Sequence, residues 1–315
     1  MDQYLNLLRN IKEKGTWKDP ARDNMPKTKS LFGTRMEFDM ADGFPLLTTK
    51  KMFYKGIIVE LLWFLKGGTN IKYLIDRGCN IWNQDAYRWY LSEIAKERSQ
   101  LEKDHNTNPL SLDRFITLIK DMGNTARLSS HYKLGDLGKV YGHQWRNQNG
   151  VDQIADVIHT LNTNPLSRYL IIDGWNKADF KDMALPPCHL LYQFNYREEK
   201  GGKYLDLQMY QRSCDTFLGV PFNIASASLL LHIISKTVGM IPGKFIWIGG
   251  DTHLYENHMD QVDVQLRRLP KALPKLEISK SLRCLQDIEF LKPEDILIKD
   301  YKSHDRIKAD LSVGL

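Results

Sequence analysis

Apolar positions along this chain follow two different periods. Between residues 31 and 49 they come in short runs: Leu31-Phe32-Gly33, then Arg35-Met36-Glu37-Phe38-Asp39-Met40, then Leu46-Leu47-Thr48-Thr49 after the break at Gly43-Phe44-Pro45. The alternation in the second run predicts a half-buried strand. From residue 54 to 65 the pattern becomes an almost unbroken apolar run, Gly56-Ile57-Ile58-Val59-Glu60-Leu61-Leu62-Trp63-Phe64-Leu65, stopped by Gly67-Gly68. That run predicts a buried helix with one carboxylate, Glu60, inside it. Further on, the spacing predicts a helix over 151–161, a buried strand over 170–174 and paired strands over 190–196 and 204–211. A long apolar helix over 222–238 and a strand over 245–248 follow. Strands and helices interleave without regular alternation, so the expected class is α+β, a large mixed or antiparallel sheet packed with helices.

One stretch, residues 86–136, has a different texture. It is rich in Lys, Glu, Asp and Arg, with helical spacing in Tyr87-x-x-Tyr90-Leu91-x-x-Ile94 and again at Phe115-Ile116-x-Leu118-Ile119. No repeat and no Gly/Ser- or Pro-rich linker interrupts the chain. The expectation is one domain over 1–315, with 86–136 as a helical small-domain insertion.

Composition narrows the class. The 315 residues are 42% hydrophobic and 26% charged, an ordinary globular balance. No run of about 18 apolar residues predicts a membrane span, and Met1–Lys14 lacks the apolar core of a signal peptide. Four cysteines (Cys79, Cys188, Cys214, Cys284), none in a Cys-x-x-Cys pair, place the chain in the reducing cytoplasm rather than among disulfide scaffolds. With 44 Lys and Arg against 38 Asp and Glu, the net charge of +6 suits a small anionic ligand and demands neither nucleic acid nor membrane.

Four places carry candidate chemistry. In Pro186-Pro187-Cys188-His189 two prolines stiffen the backbone before a thiol, which reads as a positioned nucleophile or as a buried small residue. Glu60 either faces water or carries a pKa raised by its apolar surroundings. Within Tyr210-Gln211-Arg212-Ser213-Cys214-Asp215, Arg212 and Ser213 together read as a surface ion pair or as a fork of donors and a hydroxyl for a phosphate. Gly249-Gly250-Asp251-Thr252-His253-Leu254-Tyr255 reads as a glycine turn after a strand, opening into polar rings. His253 and His258 lack the spacing of a helical metal pair, so no metal is expected. Gly239 to Lys244 is one residue short of a phosphate loop and holds Pro242, so nucleotide triphosphate binding there is rejected.

These places fall within long ordered blocks that resemble one family. The blocks are Asp42-Gly43-Phe44-Pro45-Leu46-Leu47-Thr48-Thr49-Lys50-Lys51, Glu60-Leu61-Leu62-Trp63-Phe64-Leu65, Ile81-Trp82, Val140-Tyr141-Gly142-His143-Gln144-Trp145-Arg146, Met183-Ala184-Leu185-Pro186-Pro187-Cys188-His189, Tyr210-Gln211-Arg212-Ser213 and Phe217-Leu218-Gly219-Val220-Pro221-Phe222-Asn223-Ile224-Ala225-Ser226. With the stretch from Gly249 to Gln261, they make the chain similar to thymidylate synthases over nearly its full length.

The resemblance implies a homodimer that binds dUMP and 5,10-methylenetetrahydrofolate as co-substrate. Cys188 is then the nucleophile that adds to C6 of uracil. Glu60 is the proton shuttle, and Tyr141 and His189 order hydrogen bonds around C5. Asn223 matches O4 and N3–H of uracil. Arg212 and Ser213 hold the phosphate beside Gln211, with Arg22 from the N-terminal loop and Arg168 from the other subunit. His253 and Tyr255 bind the ribose hydroxyl. Trp82, Asp215, Leu218, Gly219 and Phe222 form the folate wall, Asp215 accepting from the pterin.

Four departures from the family pattern stand out. Arg168-Tyr169 replaces an Arg-Arg pair, and Arg22 to Lys29 replaces an Arg-Thr-Gly loop, leaving Lys27 or Lys29 as substitute cations. Ala227 stands where a Tyr is common. The tail Asp310-Leu311-Ser312-Val313-Gly314-Leu315 is longer and differently charged than usual. Methylation of dUMP is the expected reaction; the altered tail keeps dUMP 5-hydroxymethylation, with tetrahydrofolate released, as the alternative.

Overall fold

Helix α1 (Asp2–Lys14) presents Tyr4, Leu5, Leu7, Leu8 and Ile11 as one buried face. A short strand β1 (Thr16–Lys18) leads to β2 (Thr28–Asp39). The two strand signals between 31 and 40 are thus one strand with Gly33 at φ 77° inside it, and Met40 opens a short 3₁₀ turn instead. Helix α2 (Tyr54–Leu65) fills the apolar run. Then come α3 (Lys72–Ile75), α4 (Asn83–Gln100), α5 (Leu112–Met122), α6 (Tyr141–Asn147) and α7 (Gln153–Thr163). Strands β3 (Ile171–Asp173), β4 (His189–Glu199) and β5 (Gly202–Asp215) precede the nineteen-residue α8 (Gly219–Thr237) and strand β6 (Ile241–Tyr255). The chain closes with α9 (Met259–Leu266), β7 (Lys275–Ile278), α10 (Leu285–Glu289) and β8 (Ile296–Lys299). This computed structural model describes residues 1–20, 25–100, 109–122 and 132–310.

Six strands form one sheet in the order β1-β2-β6-β5-β4-β3, and β7 pairs with β8 separately. Every neighbour pair in the large sheet is antiparallel except β5 and β6. Parallel neighbours need a long crossover, which α8 supplies. The sheet is therefore mixed, within an α+β fold.

By packing, the chain divides into two compact units. Residues 1–58, 153–173 and 188–315 make the first; 59–152 and 174–187 make the second. In the first, α8 lies against β5 and β6, and the strand residues Leu205, Leu207, Met209, Phe245 and Trp247 are fully buried. Their alternates Gln208, Tyr210, Ile246 and Ile248 stay partly or wholly exposed. In the second, Trp63, Phe64, Trp82, Tyr141 and Trp145 form an aromatic cluster, with Phe64 and Tyr141 centroids 4.9 Å apart. The charged stretch at 86–136 contributes most of α4 and all of α5, joined through Tyr90 and Phe115; its residues 101–108 and 123–131 lie outside the described part.

One expectation is overturned. Gly249 and Gly250 form no turn: β6 runs straight through them to Tyr255. Their role is close approach. A Cβ on Gly249 would lie 2.3 Å from the Trp247 ring, and one on Gly250 2.8 Å from both the Arg212 carbonyl oxygen and the Tyr210 hydroxyl. The absent side chains make room for neighbours in the sheet.

Candidate active site

In the first unit, the parallel pair sets the carboxyl ends of β5 and β6 side by side, with Ser213 opposite Asp251 and Asp215 opposite His253. Asp215 closes the turn into α8: its Oδ1 accepts from the backbone N–H groups of Phe217 (3.1 Å) and Leu218 (3.0 Å). Most of α8 is buried, yet Leu218 before it and Gly219, Phe222, Asn223 and Ser226 within it remain half-buried at i, i+3 and i+4 spacing. This face adjoins the end of β5: Asn223 accepts from Gln211, and a Cβ on Gly219 would lie 3.6 Å from Asp215 Cβ. The His253 and Tyr255 rings meet edge to face at 5.1 Å. Asp251 pairs with Lys18 at 2.8 Å; the His253 ring, with Nδ1 3.4 Å from Oδ1, and then Lys18 hold its carboxyl down at about 2.

Cys188 stands immediately before β4. The Arg212 backbone N–H donates to its carbonyl oxygen at 2.8 Å, so the sheet fixes the thiol-bearing residue against the strand that carries the guanidinium. The paired register shifts between His189 and Leu191. That irregularity lets the Tyr192 hydroxyl reach His189 Nδ1 at 2.7 Å, although a spacing of three does not share a face in a regular strand. Burial drives the His189 pKa down to about 3, so the imidazole is neutral at physiological pH. Burial also pushes the Cys214 thiol up to about 12 and, in the second unit, the Cys79 thiol up to about 11. Neither supplies a thiolate at neutral pH.

Asn223 is held by a buried relay: Gln211 Nε2 donates to Asn223 Oδ1 at 3.0 Å, and Gln211 Oε1 accepts from Trp247 Nε1 at 3.0 Å. Sequence reasoning missed Tyr192 and Trp247. The register shift that recruits Tyr192 leaves no mark in the sequence. Trp247 had a legible signal, because a buried indole N–H is a donor in need of an acceptor.

In the second unit, Glu60 on α2 accepts from Trp82 Nε1 at 2.7 Å. Burial raises its pKa to about 7 against the opposing effect of that hydrogen bond. Tyr141 is buried at the first position of α6, against Phe64 and Trp82.

The cations are unevenly placed. Arg168 is exposed and makes no hydrogen bond or ion pair among the described residues. Lys27 is 3.0 Å from Asp19, and Lys29 donates to the Lys12 carbonyl, so both substitute cations are engaged locally. Arg22 lies outside the described residues. Among the described residues no group of three or more His, Cys, Asp or Glu side chains is placed to hold a metal ion.

A sequence model of thymidylate synthases matches residues 2–313. The chain belongs to the thymidylate synthase family. A thymidylate synthase of Mycoplasma mobile is 47% identical over 313 residues, covering 99% of this chain and all of that protein. Thymidylate synthases of Mycoplasma pneumoniae and Malacoplasma penetrans are each 44% identical over 315 residues, covering 99% of this chain and all of theirs. These likenesses cover nearly the whole chain and support thymidylate synthesis; they give no support to hydroxymethylation.

Proposed function

We propose that this chain catalyses the reductive methylation of dUMP to dTMP. The arrangement around Cys188 carries the reading: two prolines and a backbone bond from Arg212 hold the thiol-bearing residue in place, beside a histidine that burial keeps neutral. Cys188 Sγ adds to uracil C6, the C5–C6 electron pair moves toward C5 and O4, and C5 becomes the carbon nucleophile. The folate, 5,10-methylenetetrahydrofolate, supplies the one-carbon unit and the hydride.

Neutral His189, held by Tyr192, serves as a hydrogen-bond partner near C5, together with Tyr141. Glu60, whose proton is poised near pH 7, moves protons to and from the C4 oxygen and the folate. Arg212 and Ser213 bind the phosphate beside Gln211, with Arg22 adding a cation, and His253 and Tyr255 bind the ribose. The half-buried face of α8 fits the apolar body of a folate, through Leu218, Gly219 and Phe222, and Trp82 is proposed as a further folate-binding residue. Asp215 Oδ2, which makes no hydrogen bond among the described residues, is available to the pterin.

The working form is a homodimer of single catalytic domains in the cytoplasm, each with a helical insertion near 86–136. The half-exposed sheet face and the exposed Leu166, Arg168 and Tyr169 support a second copy, with Arg168 completing the partner's phosphate site. Following dihydrofolate absorbance while identifying the nucleotide product tests the reaction. Dihydrofolate and dTMP in equal amounts are expected; 5-hydroxymethyl-dUMP without dihydrofolate overturns the reading.

A further inference from the structure

Base selection by Asn223 depends on which way its amide points, since the same side chain turned over presents a donor where it had an acceptor. Nothing in Asn223 itself decides this. Its Oδ1 faces Gln211 Nε2, and a glutamine amide is just as reversible. Gln211 in turn faces two groups that are not reversible. The Trp247 indole N–H can only donate, and it takes Gln211 Oε1 at 3.0 Å; the Ser213 carbonyl oxygen can only accept, and it takes Gln211 Nε2 at 3.1 Å. Trp247 is wholly buried and Gln211 nearly so, so water is a poor substitute for either bond.

We infer that Trp247 is a specificity-setting positioning residue of the site: its one-way N–H, together with the Ser213 carbonyl, fixes Gln211, and Gln211 fixes the amide of Asn223 in the orientation that accepts uracil and opposes cytosine. The inference rests on the reading that Asn223 contacts the base. With Oδ1 turned toward Gln211, one oxygen lone pair remains for N3–H of uracil, and Nδ2 remains as the donor to O4. Cytosine presents an acceptor and a donor at those two points and meets the reverse pattern.

Gly249 belongs to the same device. The indole occupies the space in which a Cβ on Gly249 would lie, at 2.3 Å from the ring. A side chain there displaces the donor from Gln211.

Equilibrium dialysis of dUMP and dCMP against the full-length protein reads the ratio of the two dissociation constants without requiring turnover. Trp247→Phe leaves the Ser213 carbonyl as the one remaining irreversible partner of Gln211 and strands Gln211 Oε1 in a buried site, so discrimination against dCMP is expected to fall by at least about threefold. Gly249→Ala is expected to shift it in the same direction. Gln211→Glu keeps Trp247 and its packing, so it decides the matter if Trp247→Phe fails to fold. At about pH 8.5 its ionised carboxylate is acceptor-only, so Asn223 must turn Nδ2 toward it, and the ratio is expected to move toward dCMP by at least about tenfold. Asn223→Asp separates the two levels of the argument. If it changes the ratio while Trp247→Phe and Gln211→Glu leave it unchanged, the relay is wrong and base reading by Asn223 stands. If Asn223→Asp leaves the ratio unchanged, Asn223 does not read the base and the relay falls with it.

Discussion

Glu60 is a side chain whose chemistry is set directly by its surroundings. The folded chain holds the Glu60 proton up to about pH 7, whereas an unfolded chain releases it near the ordinary value of 4.5. Its contribution to stability is therefore complete below pH 4.5 and is lost as pH rises through 7. Glu60→Gln cannot ionise and avoids that loss, so denaturant melts should show it gaining on the parent protein between about pH 5 and 8, by on the order of 2–3 kcal/mol. The same substitution should cut turnover by about 10²–10⁴-fold and flatten the pH–rate profile near 7. At Cys188 the expectation is simpler. Cys188→Ser should abolish product formation, since a neutral hydroxyl is a poor nucleophile, while dUMP affinity measured by dialysis stays within about tenfold.

At the scale of elements, α6 depends on a close backbone approach to the turn that ends α2. A Cβ on Gly142 would sit 2.3 Å from the Gly68 carbonyl oxygen and 2.8 Å from its nitrogen, so Gly142→Ala must push α6 away. The cost should be about 3 kcal/mol in a thermal or urea melt. Because Tyr141 precedes Gly142 on α6, kcat should fall as well. The helix that this turn terminates was fully legible in the sequence: an apolar run and two glycines gave its bounds at Tyr54 and Leu65. Gly249 and Gly250 misled for a physical reason, because a glycine that clears space for Trp247 from within a strand looks, in sequence, like a glycine that turns. Cys188, Arg212 and Asn223 were legible as motif residues. The Tyr192–His189 bond was not, because it depends on a register shift in the pairing of two strands. Lys27 and Lys29 likewise read as available charge, and only the fold shows them spent on Asp19 and the Lys12 carbonyl.

At the scale of the whole molecule, two copies should be needed for one working phosphate site. In the proposed dimer, with Tyr169 where the family usually has a second Arg, an Arg168 reaching in from the second copy would bear more of the dianion. Arg168→Ala should weaken dUMP binding by about ten- to a hundredfold, on the usual strength of a charge-assisted hydrogen bond. Mixing Arg168→Ala with inactive Cys188→Ser should restore activity at dUMP concentrations too low to saturate Arg168→Ala alone, because one site of the mixed dimer then has both intact residues. No recovery, with subunit exchange verified by mass spectrometry, would place Arg168 outside the partner's site. The order of strands in the large sheet has its own consequence for how the chain comes to exist. Strand β2 is bonded on one side to the neighbouring β1, but its other side belongs to β6, with Glu37 and Lys244 paired across 207 positions. A ribosome therefore exposes one edge of β2 long before the strand that covers it has been made. Loop closure over such a span is slow, and an uncovered edge is a template for other chains. Nascent chains that stall before residue 241 should recruit chaperones or aggregate, and the centre of the sheet is the last part of it to be laid down.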